Sequence, residues 1–198
     1  MTSEKKRPQK PIRRFDAEAS AVLASAILAQ AKVPGAVIGT INANSYLSEE
    51  DEWETRDLDL AVKQEDVIWI EKVLGQRGIP FQQLDIGGVK VQVEGDAIHL
   101  TFVDRHTVQQ IEGVFREALE ATNESIAIGK VEIPAAPIEH VIAMKLATAR
   151  PKDDLIIQAL LQVEDVDWKR ALNIVSRHYG AVGANRLRAL ATAAGVRR

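Results

Sequence analysis

The sequence predicts a mixed α/β (α+β) fold: a mixed sheet flanked by helices, continued by a helical C-terminal part. Three observations predict it. Leu58, Leu60 and Val62 alternate with polar neighbours, the period-two pattern of a strand with one buried face. Further short β-rich pieces occupy the middle of the chain, punctuated by Gly87-Gly88 and Gly95-Asp96. Beyond Pro134 and Pro137, apolar residues recur at helical spacing almost to the end. A chain of 198 residues with 46 % hydrophobic content can bury one core plus a helical appendage.

The elements follow in order. Residues 1–14, with Pro8 and Pro11 among charges, read as a flexible basic tail. Asp16 caps a helix carrying Val22, Leu23, Ala26, Ile27 and Ala29, and Pro34-Gly35 stops it. Residues 36–39 form a short buried strand, 40–47 begin a helix, and 48–54 are an acidic loop. The Leu58 strand leads to an amphipathic helix at 65–74, closed by Gly75 and Gly78. Extended pieces at 81–86, 89–93 and 97–103 precede a helix at 108–121 and another extended piece at 126–133. Helices are expected at 138–149, 153–163, 167–179 and 183–194. The expected organisation is therefore a tail at 1–14, an α/β core at 15–134 and a helical part at 135–198 packed on it. Trp69 and Trp168 fall at apolar helix positions and are expected in the core, and Trp53 is expected to pack.

Composition narrows the chemistry. There is no cysteine, which excludes disulfides, thiolate zinc sites and cysteine nucleophiles and fits a cytoplasmic protein. No stretch reaches about 18 uninterrupted apolar residues, so no membrane span is expected, and no secretory signal is recognisable. The net charge of −3 conceals basic ends. Residues 1–14 hold six basic side chains against Glu4, and residues 168–198 hold seven and no acid. Such ends attract polyanions, and Arg186 and Arg188 are expected to face the functional cleft; a solvated surface stripe is the plainer alternative.

Asp57-Leu58-Asp59 is the sharpest chemical feature. Residues two apart on a strand point the same way, so both carboxylates leave one face while Leu58 enters the core. Two like charges so close need a cation or a proton between them, and such oxygen ligands suit Mg²⁺ or Mn²⁺. Upstream, Gly39-Thr40 joins a strand to a helix start, where unpaired backbone N–H groups favour phosphate. The order is strand, Gly-Thr, helix, loop, then the Thr55-Arg56-Asp57-Leu58-Asp59 strand.

In this order of segments the sequence resembles the DNA polymerase beta-type nucleotidyltransferase superfamily, and within it the small bacterial AbiEii-like group, many of which are toxins of toxin–antitoxin pairs. Residues 138–146, containing Lys145, and Arg150-Pro151-Lys152-Asp153 are similar to the family's lysine-bearing helix and its continuation. The resemblance covers about residues 16 to 180 and implies a metal-dependent nucleotidyltransferase with a nucleoside triphosphate as donor and an RNA or protein acceptor. It implies a toxin-like role with a cognate antitoxin as partner. It implies that Asp57 and Asp59 hold Mg²⁺ (or Mn²⁺), that Gly39 and Thr40 cradle the outer phosphates, and that Lys145, Arg150 and Lys152 meet the triphosphate. The bland expectation for Lys145 is a surface lysine lying over apolar neighbours; for Arg150 and Lys152 it is pairing with Asp153 and Asp154.

Two positions depart from the family pattern. Thr40 replaces a glycine or serine. His99 stands where active members commonly carry a third carboxylate, with His99 and Thr101 expected to face the cleft. Imidazole can take a proton but is a poor Mg²⁺ ligand, and Asp96 or Asp104 could compensate. The alternative is therefore a catalytically weak or inactive protein of the same fold that binds nucleotide, nucleic acid or a protein partner.

Overall fold

The computed structural model describes residues 14–91, 99–107 and 109–196. The basic N-terminal stretch and the expected Gly95-Asp96 turn, with Asp96, lie outside the described residues. The elements are α1 (Arg14–Ala31), β1 (Ala36–Ile38), α2 (Gly39–Asn44), β2 (Asp57–Ala61), α3 (Val67–Gln76), β3 (Phe81–Gln83), β4 (Gly88–Val91) and β5 (His99–Val103). They continue as α4 (Gln109–Glu120), β6 (Glu124–Ile128), β7 (Val131–Ala135), α5 (Ile138–Thr148), α6 (Pro151–Leu160) and α7 (Trp168–Ala193). No helix among the described residues is long and apolar enough to cross a membrane.

The seven strands form one mixed sheet in the order β3-β4-β5-β2-β1-β7-β6. β2 lies parallel to β5, with Asp57 opposite His99 and Asp59 opposite Thr101. It lies antiparallel to β1, with Asp59 opposite Ile38. Alternation then sorts the side chains between two faces. Leu58 and Leu60 join Val37, Leu100 and Phe102 beneath α1 and α3, where Ala24, Ile27, Ile70 and Leu74 complete one apolar layer. Burying each of the two leucines contributes about 1.5–3 kcal/mol. The opposite face carries Ile38, Ala61 and Val103 against α4 to α7. Asp57 and Asp59, out of phase with the leucines, belong to this second face.

Several expected elements change. α1 starts at Arg14, before the expected cap at Asp16. Only 81–83 pair as β3; Leu84 to Gly87 form the turn back, with Leu84 N donating to Gly88 O at 2.9 Å. The extended piece at 126–133 is a hairpin, β6 and β7 pairing antiparallel around Gly129-Lys130. Trp69 is about half exposed and stacks under the Lys72 ammonium, 5.3 Å from its ring centroid, because the buried stripe of α3 runs instead through Ile70, Val73 and Leu74. Trp53 and Trp168 pack against the helical layer as expected.

Every residue of α5 from Ile138 to Leu146 is buried, so its three charged or polar side chains need partners. Glu139 accepts from Asp167 N at 3.1 Å, His140 meets Glu117 at 3.2 Å, and Lys145 donates to Asp153 at 3.1 Å. α7 is two helices joined at Gly180, where φ is 62° and ψ −158°. That conformation is essentially closed to residues with a Cβ, and no atom crowds the site. Gly180→Ala should therefore destabilise by about 1–3 kcal/mol through the backbone alone. Chemical denaturation checks it, and an unchanged midpoint would show that the two halves can realign at no cost.

Candidate active site

The site is built where β1, β2 and β5 present adjacent residues to α5. Gly39 follows β1 with φ +74, a left-handed conformation suited to glycine. A Cβ there would lie 2.9 Å from Asp59 Oδ2, so the glycine is required by its contact as well as its backbone. On the other side, the Thr101 hydroxyl donates to Asp59 Oδ1. Above, Lys145 reaches down from α5, nearly fully buried, and its Nζ donates to Thr40 Oγ1 at 3.3 Å and Asp153 Oδ1 at 3.1 Å. Asp153 is itself buried and accepts from Arg150 Nε at 2.6 Å and Thr148 Oγ1 at 2.5 Å.

A cleft of about 320 Å³ opens beside Gly39 and Asp59. Its charged rim is Asp59, Arg105, Lys145 and Arg150, over an apolar floor that includes Ile111, Phe115, Val141 and Met144. Burial sets the electrostatics. It raises the Asp59 pKa, with Asp57 adding to the rise while the Thr101 hydrogen bond, Arg105 and Lys145 oppose it. It lowers the pKa of Lys145, against the pull of Asp153. It also lowers that of Arg105, against the pull of Asp59.

No protein-family model matches the chain, and no curated protein sequence does. Among solved structures, an antigenic nucleotidyltransferase-like protein from Paracoccidioides brasiliensis matches with a TM-score of 0.53 at 12 % identity, over 92 % of this chain and 93 % of that one. This chain has the nucleotidyltransferase-like fold. The antibiotic-resistance factor ANT(2'')-Ia also matches, with a TM-score of 0.46, 17 % identity and coverage of 89 % and 93 %. So does terminal uridylyl transferase 4 from Trypanosoma brucei with bound GTP, with a TM-score of 0.42, 11 % identity and coverage of 77 % and 50 %. At such identities the likeness speaks for the fold, and the chemistry rests on this chain's own residues.

On the nucleotidyltransferase-like fold, Gly39, Asp59, Lys145 and Arg150 come together in one cleft, with Thr40 bonded to Lys145 and Asp57 one register step away on the same face. Lys145 is a buried ion-pair member rather than a surface lysine. His99 is exposed at the start of β5, in register with Asp57; the contact with Asp59 is made by Thr101. Lys152 does not line the cleft: its Nζ donates to Glu54 O at 2.6 Å, tying α6 to the acidic loop. Arg186 is likewise spent elsewhere, donating to Leu146 O at 2.9 Å and Asp154 Oδ1 at 2.6 Å, while Arg188 is exposed and bonded to Asn185. Neither arginine lines the cleft. Asp104 does not supply a third carboxylate, since its Oδ1 accepts from His106 N at 2.9 Å and faces His106 Nδ1 at 2.6 Å. Sequence reasoning passed over Arg105, which follows β5 in a stretch that reads locally as a polar loop, and it gave Asp153 no role beyond pairing.

The donor chemistry fits one divalent cation. Asp57 and Asp59 offer hard oxygen atoms on one face, and burial, with Asp57 beside it, disfavours the ionised form of Asp59, a charge that a bound cation would offset. Among the described residues, no three acidic, histidine or cysteine side chains gather around a common point.

Proposed function

We propose that the chain is a metal-dependent nucleotidyltransferase that moves a nucleotidyl group from a nucleoside triphosphate to an RNA or protein acceptor. The observation that carries this reading is the close approach of Gly39 to Asp59 in one cleft with the buried Lys145, between cationic and anionic walls. Asp57 and Asp59 would hold Mg²⁺ or Mn²⁺, and the ion would supply positive charge to offset the negative charge that develops on the phosphate. Gly39 leaves room for the outer phosphates against the backbone, and Thr40 and Lys145 supply donors to them, with Arg150 at the rim. The acceptor hydroxyl oxygen forms a bond to the α-phosphorus, the bond from that phosphorus to the β-bridging oxygen breaks, and pyrophosphate leaves. We assign the hydroxyl proton to His99, on the same sheet face and in register with Asp57. We extend the proposal to a cytoplasmic, toxin-like role of the AbiEii type with a cognate antitoxin, on the strength of the segment resemblance.

A second reading has a specific observation in its favour. With Thr101 opposite Asp59 and only two carboxylates on that face of β2 and β5, a weak or inactive protein that binds nucleotide, nucleic acid or a partner fits the same cleft. Incubation with each labelled nucleoside triphosphate, Mg²⁺ or Mn²⁺ and total RNA or lysate separates the two. Label transfer that disappears in Asp57→Asn supports the enzyme. Nucleotide binding without transfer supports the second reading; absence of both nucleotide binding and transfer overturns the enzyme and the nucleotide-binding form of the second reading.

A further inference from the structure

Three cations line the cleft, and their partners differ. Lys145 spends two of its three N–H donors on Asp153 and Thr40, and Arg150 spends its Nε–H on Asp153. Arg105 makes no hydrogen bond or ion pair among the described residues, and its Nε is buried without a partner. Its sequence neighbour Asp104 is engaged by His106. A guanidinium donor withdrawn from water and left unpaired is costly. The backbone adds to that cost, since Arg105 sits at φ +56, a left-handed conformation uncommon for a residue with a side chain. The side chain lines the cleft together with Asp59, and the guanidinium carbon lies 6.0 Å from the ring centroid of Phe115, another lining residue. Unpaired donors and strained backbone of this kind concentrate at ligand clamps.

We propose that Arg105 is a phosphate-binding residue of the cleft, its planar guanidinium positioned to take an oxyanion in the space beside Asp59. This deepens the proposed function and rests on its placing a phosphorylated substrate in this cleft. The fork of N–H donors matches phosphate oxygens, and the Phe115 ring backs the cation. Charge balance gives the binding an order. Among the carboxylates acting on Arg105, Asp59 exerts the largest pull; a divalent cation on Asp59 would offset that pull, so metal and phosphate would favour each other's binding.

The test is calorimetric titration of the full chain with inorganic tripolyphosphate and Mg²⁺, and separately with a single-stranded RNA oligonucleotide, in native, Arg105→Gln and Arg105→Lys proteins. Loss of the charged fork in Arg105→Gln should weaken tripolyphosphate binding on the order of ten- to a hundredfold, with Arg105→Lys intermediate. A loss confined to the oligonucleotide, with its salt slope reduced by about one, supports the same oxyanion site and assigns it to the acceptor strand. Unchanged affinity for both ligands in a folded Arg105→Gln overturns the proposal. Should that variant not fold, the Arg105 Nε–H resonance of the native protein decides: a shift on adding either ligand supports the site, and no shift with either overturns it. Arg105-dependent phosphate binding without nucleotidyl transfer leaves the proposal standing and removes the enzyme reading. Transfer that proceeds with Arg105-independent phosphate binding does the reverse.

Discussion

Asp153→Ala should destabilise the protein by about 3–5 kcal/mol, because it strands the buried Lys145 ammonium. Asp153 is almost wholly buried and serves three donors at once: Lys145, Thr148 and Arg150. Burial alone would raise its pKa; hydrogen bonds from Arg150, Thr148 and Lys145 outweigh burial and hold it below the usual carboxylate range. A depressed carboxyl contributes stability that is present above its unfolded pKa of about 3.9 and lost as pH falls through the folded value. Acid unfolding of the native protein should therefore steepen below about pH 4, and Asp153→Ala should lack that component. The partner of the pair provides the control. Lys145→Met in the Asp153→Ala background removes the stranded charge and should recover most of the loss, giving a large coupling energy in a double-mutant cycle. Simple additivity of the two substitutions in urea denaturation would show that the pair is not energetically linked.

Asp59→Asn should move stability and metal affinity in opposite directions. Burial and the neighbouring Asp57 raise the Asp59 pKa in the fold. A raised group favours the fold while protonated and loses that contribution as pH rises through the folded value. Above that raised pKa the ionised Asp59 is therefore a destabilising charge, and the amide, which can still accept from Thr101, should raise the melting temperature there by a few degrees without metal. The same substitution removes a charged ligand, so Mn²⁺ affinity should fall about tenfold or more, and transfer, if present, by about a hundredfold or more. For the native protein, Mn²⁺ binding should strengthen as pH rises through the raised Asp59 pKa. Titration calorimetry and thermal melts on one preparation check both directions. A variant that is less stable and binds Mn²⁺ as tightly as the native protein would make Asp59 a structural carboxylate.

Much of this was legible in short stretches. Alternation around Leu58 and Leu60 placed β2, and with it the shared face of Asp57 and Asp59. The Gly39-Thr40 turn and the helical character beyond Pro137 were equally local. Where the readings failed, a local pattern was asked for something that depends on which distant segments pack against it. Trp69 matched an apolar position on α3, yet α1 and the sheet meet the stripe through Ile70, Val73 and Leu74. The C-terminal arginines read as a polyanion-binding stripe, but α7 packs so that Arg186 caps the carbonyl of Leu146 and pairs with Asp154. Within the 126–133 piece, Gly129 was the available turn marker, and it went unread between two β-like runs.

The sequence by itself determined the local facts: which strand carries two carboxylates on one face, where glycine permits a left-handed turn, and that cysteine chemistry is absent. These follow from rules that act over two to four residues. Only the tertiary structure decided which groups meet. Antiparallel pairing of β1 with β2 presses Gly39 against Asp59, parallel pairing with β5 sets Thr101 there in place of His99, and the burial of α5 turns Lys145 from a surface lysine into half of a buried ion pair. Arg105 shows the division most clearly: its cation is ordinary in sequence, and only the walls that fold around it bury its Nε and leave that atom without a partner. Desolvation and pairing are properties of what surrounds a group, and those surroundings come from segments distant along the chain.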